Sequence, residues 1–447
     1  MNQNLVRLAQ HIKNAGGTAF LVGGAVRDQF FGDDSKDLDV EVFGLTPDHL
    51  FLVLSMLGRV DEVGESFGVF KIKLGDDDFD VSVPRTESLS GDGWKFAFPK
   101  LTPRQAAKRR DFTWNAMFLN PLTGKVFDFF NGRRDVRNRV LRATNHKTFV
   151  EDPDRVMRGM QFCGRKEVKV ERKTRELCAS ITHRFGEIAA ERVFVEFWKW
   201  ATKSTKPSMG LQFLQEVDWL KHFPALFAMT TTEQDPLFHP EGSVWEHTKQ
   251  AVDWAVRFND PVVTFAVLLH DCGKASTTEH CADGRTRSQG HAKAGVEVAR
   301  DFLRSMKAPK DFVRKVVTLV ETHMRHVGTA PTKRAVRRFA VKLASVGVTF
   351  EQWAQVVECD HSARVGKVFA HPQGRPEVVD EWVRVAQELH VEAQAPERLV
   401  QGRDVLGFMQ PGPEMGRVLR AAFEAQLDGK FHTTQEGVEW VRRHVAL

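Results

Sequence analysis

The chain has 447 residues, 42% of them hydrophobic and 27% charged, with a formal net charge of +6. That balance is ordinary for a globular protein of a few domains, and the mild positive excess permits a polyanionic partner without requiring one. Apolar runs stay short of the roughly 20 residues of a membrane span, the opening MNQNLVRLAQHIKNAGG lacks a signal peptide's apolar centre and cleavage site, and the 5 Cys without a CxxC pair exclude a disulfide framework or zinc ribbon and point to a reducing cytoplasm.

The first predicted element is an amphipathic helix over Leu5–Asn14, with Leu5, Leu8, Ala9 and Ile12 on one face. An apolar strand, Ala19–Val22, runs into the paired Gly23 and Gly24, and a short helix follows over Ala25–Phe31. Strand Leu38–Phe43, a helix near Pro47–Leu57, and a hairpin of Val69–Leu74 and Phe79–Val83 around the acidic turn GDDD complete a mixed α/β head. Glycine and proline punctuate Ser88–Pro103, which reads as a loop long enough to be functional. From Arg104 onward the pattern is mostly helical, with a basic stretch from Arg155 to Arg175. Breaks fall at Thr202–Gly210, Asp235–Ser243 and His371–Glu377. Tyr is absent while Phe numbers 34, so no tyrosine serves as a catalytic or stacking group.

Asp37 and Asp39 stand two apart on a predicted strand, so both side chains leave one face. Mg²⁺ takes carboxylates together with substrate phosphates, and two such ions can clamp a phosphoryl displacement. Glu41 shares that parity, and Asp80 on the hairpin is a further acid. A DxD pair by itself is equally a solvated acidic edge. The glycines shift the balance, because Gly23 and Gly24 follow a strand and open a helix that carries Arg27 in its first turns, aimed at a triphosphate.

GGAVRD, DLD, RRDFTWNAM (Arg109–Met117), DFFNGRRDV (Asp128–Val136), EDPDRVMR (Glu151–Arg158) and AERVFVEF (Ala190–Phe197) occur in one order. In that order the chain resembles the class II tRNA nucleotidyltransferases, the CCA-adding enzymes, and their relatives the bacterial poly(A) polymerases. The resemblance implies that Asp37 and Asp39 carry the catalytic metals, and that Gly24 and Arg27 hold the triphosphate. It further implies that Arg109 and Arg110 contact phosphates, Asp111 the ribose, Asp152 and Arg155 the edge of the incoming base, and that Arg158 supports the nucleotide. An Asp–Arg pair can satisfy cytosine or adenine without a template, since one side offers acceptors and the other a fork of donors. Three positions depart from the family pattern: Asn131–Gly132 where two glycines are usual, Val136 for Leu or Ile, and Trp114 for a small β-branched residue. They put the hinge and packing in question rather than the chemistry.

The second block carries HPEGSVWEHT, then AVLLHDCGK, GHAKAG, ETHM and ECDHSAR. His247, the His270–Asp271 pair and Asp360 match the ligand set of HD-domain phosphohydrolases, and His291 and His323 could complete a second metal position. Imidazoles mixed with carboxylates suit Ni²⁺, Mn²⁺, Mg²⁺ or another divalent metal. Lys274 could hold a phosphate, His239 reads as a loop residue and Cys272 as core rather than ligand. This block resembles the HD domain fused behind the nucleotidyltransferase in many bacterial CCA enzymes, which implies hydrolysis of 2′,3′-cyclic phosphates, 2′-nucleotides and similar ends.

The expected fold class is α+β: a polymerase-β-like head with a mixed or antiparallel sheet over 1–142, an all-α neck over 143–225, an α-helical HD domain over 226–370 and a helical tail over 371–447. The expected partners are the tRNA 3′ end, CTP and ATP, without a membrane, for a cytoplasmic monomer or homodimer using Mg²⁺ in the head. Two rivals remain: a poly(A) polymerase on the same head, and an HD nucleotide phosphohydrolase whose first domain senses nucleotides. HPEG…HD weighs against the first, and the intact DLD and RRD against the second.

Overall fold

A computed structural model describes residues 2–33, 38–62, 68–84, 86–90, 93–97, 100–364 and 374–445. The candidate Asp37 lies outside the described residues. The chain divides into two compact units: Met1–Ala189 with Phe213–Trp219, and Ala190–Gln212 with Leu220–Leu447.

The first unit is built on a seven-stranded sheet. Its strands are β1 (Thr18–Val22), β2 (Leu38–Phe43), β3 (Val60–Glu62), β4 (Val69–Leu74), β5 (Asp77–Ser82), β8 (Met117–Leu119) and β9 (Val126–Asp128), with β6 (Thr86–Ser90) and β7 (Gly93–Ala97) paired separately. The order is β3-β4-β5-β2-β1-β8-β9. All neighbours run antiparallel except β2 and β5, which run parallel. The mixed sheet is the one expected. The stretch expected as a loop is corrected, because Thr86–Ala97 holds a hairpin, with Ser90 opposite Gly93. TESLS and GWKFA supply the residues that pair as strands.

Local chemistry explains the elements around the glycine turn. Helix Gln3–Asn14 starts where the Leu5 N–H donates to the Asn2 side chain, and it buries Leu5, Leu8, Ala9 and Ile12. In β2, Val40 and Val42 are fully buried, so alternation places Asp39 and Glu41 together on the opposite face. Gly23 caps helix Gly24–Phe31 at φ 66°, a left-handed conformation that glycine adopts without strain. Helix Asp154–Lys166 begins where the Asp154 N–H donates to the Asp152 carboxylate. Asn131 stands at φ 62°. Asn is the residue after glycine that visits this region most readily, so the departure from a glycine pair leaves the turn intact. Gly132 has no such latitude, since a Cβ there would lie 2.4 Å from the Thr113 carbonyl.

The second unit is helical apart from the short hairpin Thr278–His280 and Thr286–Ser288. Helix Pro261–Leu269 is buried on every side, with Asp260 capping its start. Around it pack helices Val244–Ala255, Lys310–Thr322 and Phe350–Ser362. A helix that is apolar all round belongs at the centre of such a bundle. Phe339, Trp353 and Trp382 meet edge to face further along, and Trp353 Nε1 donates to the Thr322 carbonyl at 3.0 Å.

Candidate active sites

In the first unit the glycine turn, Asp39 and the RRD segment converge. A Cβ on Gly23 would stand 3.3 Å from Asp39 Oδ2 and 3.5 Å from Arg110 Nη1, and one on Gly24 would stand 3.5 Å from Arg27 Nη2. At Gly23 the positive φ and the close approach of Asp39 favour glycine, while both guanidiniums stand at ordinary contact distance. Asp39 lies opposite Asp80 in the parallel register of β2 and β5. Asp80 is half-exposed and ion-paired to Lys71 at 3.3 Å. Glu41 shares the face of Asp39 and pairs with Arg110 at 2.8 Å.

Several residues expected to bind nucleotide are engaged with one another. Arg27 is buried, donating from Nε and Nη2 to Asp28 at 2.9 Å each and from Nη1 to Asn115 Oδ1 at 2.8 Å. Asp28 also accepts from Lys166 and Arg165, both in helix Asp154–Lys166. The buried Lys166, with Arg165, thus ties helix Gly24–Phe31 to that helix. Arg109 stands 3.6 Å from Glu151. Arg155 donates to the carbonyls of Thr148 at 2.7 Å and Arg109 at 2.6 Å. Asp111 accepts from Arg158 Nε at 2.7 Å, from the Asn115 side chain at 2.9 Å and from the Phe112 N–H at 2.7 Å. Burial opposes ionisation of Asp111, but Arg158 and these donors hold its pKa down to about 2. RRD and EDPDR, distant in sequence, are stitched into one surface by Arg155 and Arg158. Asp28 and Asn115, which hold Arg27 in place, escape a reading that looks only for ligand contacts.

In the second unit the expected residues gather around Asp271. His247 comes from helix Val244–Ala255, His270 and Asp271 from the end of helix Pro261–Leu269, His291 from the first position of helix His291–Ser305, His323 from the end of helix Lys310–Thr322, and Asp360 from helix Phe350–Ser362. Gly273 makes this possible, because a Cβ there would meet the His291 carbonyl at 2.1 Å. Asp271 Oδ2 lies 3.2 Å from His270 Nε2, while its Oδ1 lies 3.3 Å from His291 Nε2 and 3.9 Å from His323 Nε2. His270 Nε2 is 3.9 Å from Asp360 Oδ1, and His247 Nε2 is 3.1 Å from the same atom. Two groups, His247–His270–Asp271 and Asp271–His291–His323, therefore share one carboxylate, each with ligand atoms within 4.8 Å of one another.

The outer hydrogen bonds orient these rings. His270, His291 and His323 approach the carbonyls of Val267, Ser288 and Val320 through Nδ1 at 2.7, 2.8 and 2.7 Å. A carbonyl only accepts, so each Nδ1 carries a proton and donates it there, and Nε2 is the ring nitrogen turned inward. The Nε2 atoms of His291 and His323 stand 3.1 Å apart beside Asp271 Oδ1, an arrangement that a cation between them satisfies. His270 Nε2 is buried and makes no hydrogen bond. The donor set thus fits divalent metal at both positions. Burial, then His270 and His291, pushes the His323 pKa down to about 3, so the ring is neutral near pH 7. Burial opposes the charges of Asp271 and Asp360, yet His270 and Lys274 beside the first and Arg364 beside the second hold both well below the ordinary range. For His247 burial lowers the pKa, and the bonded Asp360 and Glu241 outweigh it and raise it.

Glu241 is the residue that sequence reasoning missed. Its Oε1 accepts from His247 Nδ1 at 2.7 Å and lies 2.9 Å from His239 Nδ1. The signal was its place in HPEG, six residues before His247. His239 sits in a loop as expected, yet it lines the cavity beside Asp271. Lys274 Nζ reaches Asp271 Oδ2 at 2.7 Å and donates to Gln234 at 2.7 Å. Cys272 is core, its thiol pushed up to about 12 by burial. The cavity holds about 490 Å³ and is rimmed by Lys274, Arg285, Arg287 and Arg364.

A mixed-sheet head with an acid beside a glycine turn, followed by a helical His–Asp cluster, defines a nucleotidyltransferase head joined to an HD domain. Family models agree: "Poly A polymerase head domain" matches residues 19–142 and "HD domain" residues 244–348. The chain is 31% identical over 422 residues to the multifunctional CCA protein of Methylococcus capsulatus, covering 90% of this chain and 92% of that one. It is 31% identical over 420 residues to the multifunctional CCA protein of Xanthomonas campestris pv. campestris, covering 90% and 96%. The chain belongs to the multifunctional CCA protein family. Among solved structures, the Bacillus stearothermophilus CCA-adding enzyme in complex with CTP shares the fold at a TM-score of 0.68, 22% identical, covering 99% of this chain and 97% of that one. The Thermotoga maritima CCA-adding enzyme complexed with tRNA shares it at 0.59, 18% identical, covering 99% and 95%. No helix among the described residues is long and apolar enough to cross a membrane.

Proposed function

We propose that this chain adds C and A residues from CTP and ATP to the 3′ end of tRNA without a template, and that its HD domain hydrolyses phosphoesters at a separate centre. The observation that carries the first activity is the packing of Asp39 and Arg110 against the Gly23 turn, 3.3 and 3.5 Å from where a Cβ would stand. In this reading Asp37 and Asp39 hold Mg²⁺, which supplies charge stabilisation at the α-phosphate. The terminal ribose 3′-oxygen attacks that phosphorus, a new P–O bond forms, and the α–β bond breaks to release pyrophosphate. Gly24, Arg27, Arg109 and Arg110 orient the triphosphate, Asp111 positions the ribose and Arg158, and Asp152 and Arg155 meet the base edge. Support comes from the bonds that join Arg155 to Arg109 and Arg158 to Asp111, which link the two motifs to each other. The work is divided among a head over 1–142, a neck over 143–225, an HD domain over 226–370 and a tail over 371–447.

For the second activity, His247, His270, Asp271 and Asp360 hold one divalent ion, and Asp271, His291 and His323 a second. Such ions acidify a bound water and supply a nucleophile for a phosphoester. Lys274 and Arg364 balance the phosphate's charge at the cavity wall. Ni²⁺ or Mn²⁺ suits the imidazole-rich set, and Mg²⁺ a carboxylate-led one. The test of the first activity is incubation with tRNAs ending before CCA, CA or A, supplied with CTP and ATP separately. Addition that stops after the missing residues supports the reading; long A-tails on any RNA would overturn it in favour of a poly(A) polymerase.

A further inference from the structure

The HD cavity is lined by more than the candidate metal ligands. Phe238 and Arg285 line it together with Asp271 and His291. Phe238 is 45% exposed, so part of its ring surface is open to solvent at the cavity. The Arg285 guanidinium lies over its ring, Cζ 4.8 Å from the centroid. Asp235, itself buried, fixes this pair from both sides. Its carboxylate accepts from Arg285 Nε and the Thr286 N–H of the hairpin, and from the Leu237 N–H at 3.0 Å. Its carbonyl accepts from the Phe238 and His239 N–H groups at 3.1 and 2.8 Å. The loop carrying Phe238 and the Arg285 side chain just before the strand are thereby both held to Asp235.

A rigid, exposed aromatic stacked with a guanidinium is the surface on which proteins lay a single unpaired nucleobase. The same cavity is lined by Lys274 and Arg364 as well as by this pair. Its volume of about 490 Å³ exceeds what a bare phosphate requires and accommodates a nucleotide. We propose that Phe238, backed by Arg285, is a base-stacking platform that makes the HD centre selective for phosphoesters of nucleosides and RNA ends over phosphoesters lacking a base. The proposal deepens the phosphohydrolase reading and rests on it.

The test compares full-length wild type, Phe238→Ala and Phe238→Trp, loaded with Mn²⁺, on 2′,3′-cyclic AMP and on glycerol 1,2-cyclic phosphate, the same cyclic ester without a base. Phe238→Ala should raise KM for the nucleotide about tenfold at unchanged kcat, in line with the loss of one base–aromatic stack. Phe238→Trp should restore it, and kcat/KM for the glycerol ester should stay constant across all three. Equal effects on both esters, or none on either, overturn the platform while leaving the phosphohydrolase reading standing. If the wild type hydrolyses neither ester, that reading fails, and calorimetric titration of 2′-AMP in EDTA decides the platform by itself. There the wild type must bind, and Phe238→Ala must bind about tenfold more weakly; equal affinity or no binding by the wild type overturns it.

Discussion

Asp111 shows how a residue's environment decides its role. A carboxylate buried to 7% exposure is costly unless its oxygens are satisfied, and here Arg158, Asn115 and the Phe112 N–H satisfy them. The pKa falls from 3.8 to about 2, so the folded state binds its proton less readily than the unfolded chain. A depressed carboxylate stabilises the fold above its unfolded pKa, and that contribution fades as pH drops through the folded one. The shift corresponds to about 2 kcal/mol, from roughly 1.4 kcal/mol per pKa unit. Urea unfolding of wild type and Asp111→Asn should therefore differ most above pH 4 and converge toward pH 2. A difference that stays constant over that range would show that Arg158 is not what holds Asp111 ionised. Residue identities were legible in the sequence at this scale, but their partners were not. Arg27 reads as a phosphate ligand, while its donors to Asp28 and Asn115 join positions 1 and 88 residues away.

At the scale of elements, most of the fold was legible because periodicity and punctuation agreed. Strands Leu38–Phe43 and Val69–Leu74 fall where alternation placed them, and helix Gln3–Asn14 carries the expected buried stripe. The hairpin β6–β7 was not legible, since its glycines and neighbouring prolines hid the alternation of a short, separately paired ribbon. Gly273 explains why the cluster around Asp271 could be read as motifs but not as geometry. HDCGK shows a glycine; only the packing shows that helix His291–Ser305 rests against it, delivering His291. Gly273→Ala would put a Cβ 2.1 Å from the His291 carbonyl and 2.5 Å from the Gly295 nitrogen, both backbone atoms that cannot rotate aside. Displacement of that helix should cost about 1–3 kcal/mol or more and separate His291 from Asp271. The expected result is loss of phosphoester hydrolysis with nucleotide addition retained, read in parallel assays with circular dichroism as the check on folding. Full hydrolysis by a folded Gly273→Ala protein would show that His291 is dispensable.

For the whole molecule, the division into two compact units has a chemical counterpart. Asp39, Arg110, Asp111, Arg155 and Arg158 lie in the first unit, and His247, His270, Asp271, His291, His323 and Asp360 in the second. The described residues proposed for each centre thus come from one unit, so on this reading neither centre borrows them from the other. Asp39→Ala should abolish nucleotide addition and leave phosphodiesterase activity, and His270→Ala should do the reverse. Because one set is carboxylate-led and the other rich in imidazole, the two should also separate by metal. Chelation should silence both activities, Mg²⁺ alone should restore addition, and hydrolysis should recover more fully with Ni²⁺ or Mn²⁺. Assays of both variants and of the chelated protein on a shortened tRNA and a 2′,3′-cyclic nucleotide check this directly. Joint loss of both activities in either folded variant would mean that the centres are coupled, and that the separation of ligand sets between the units does not carry over to function.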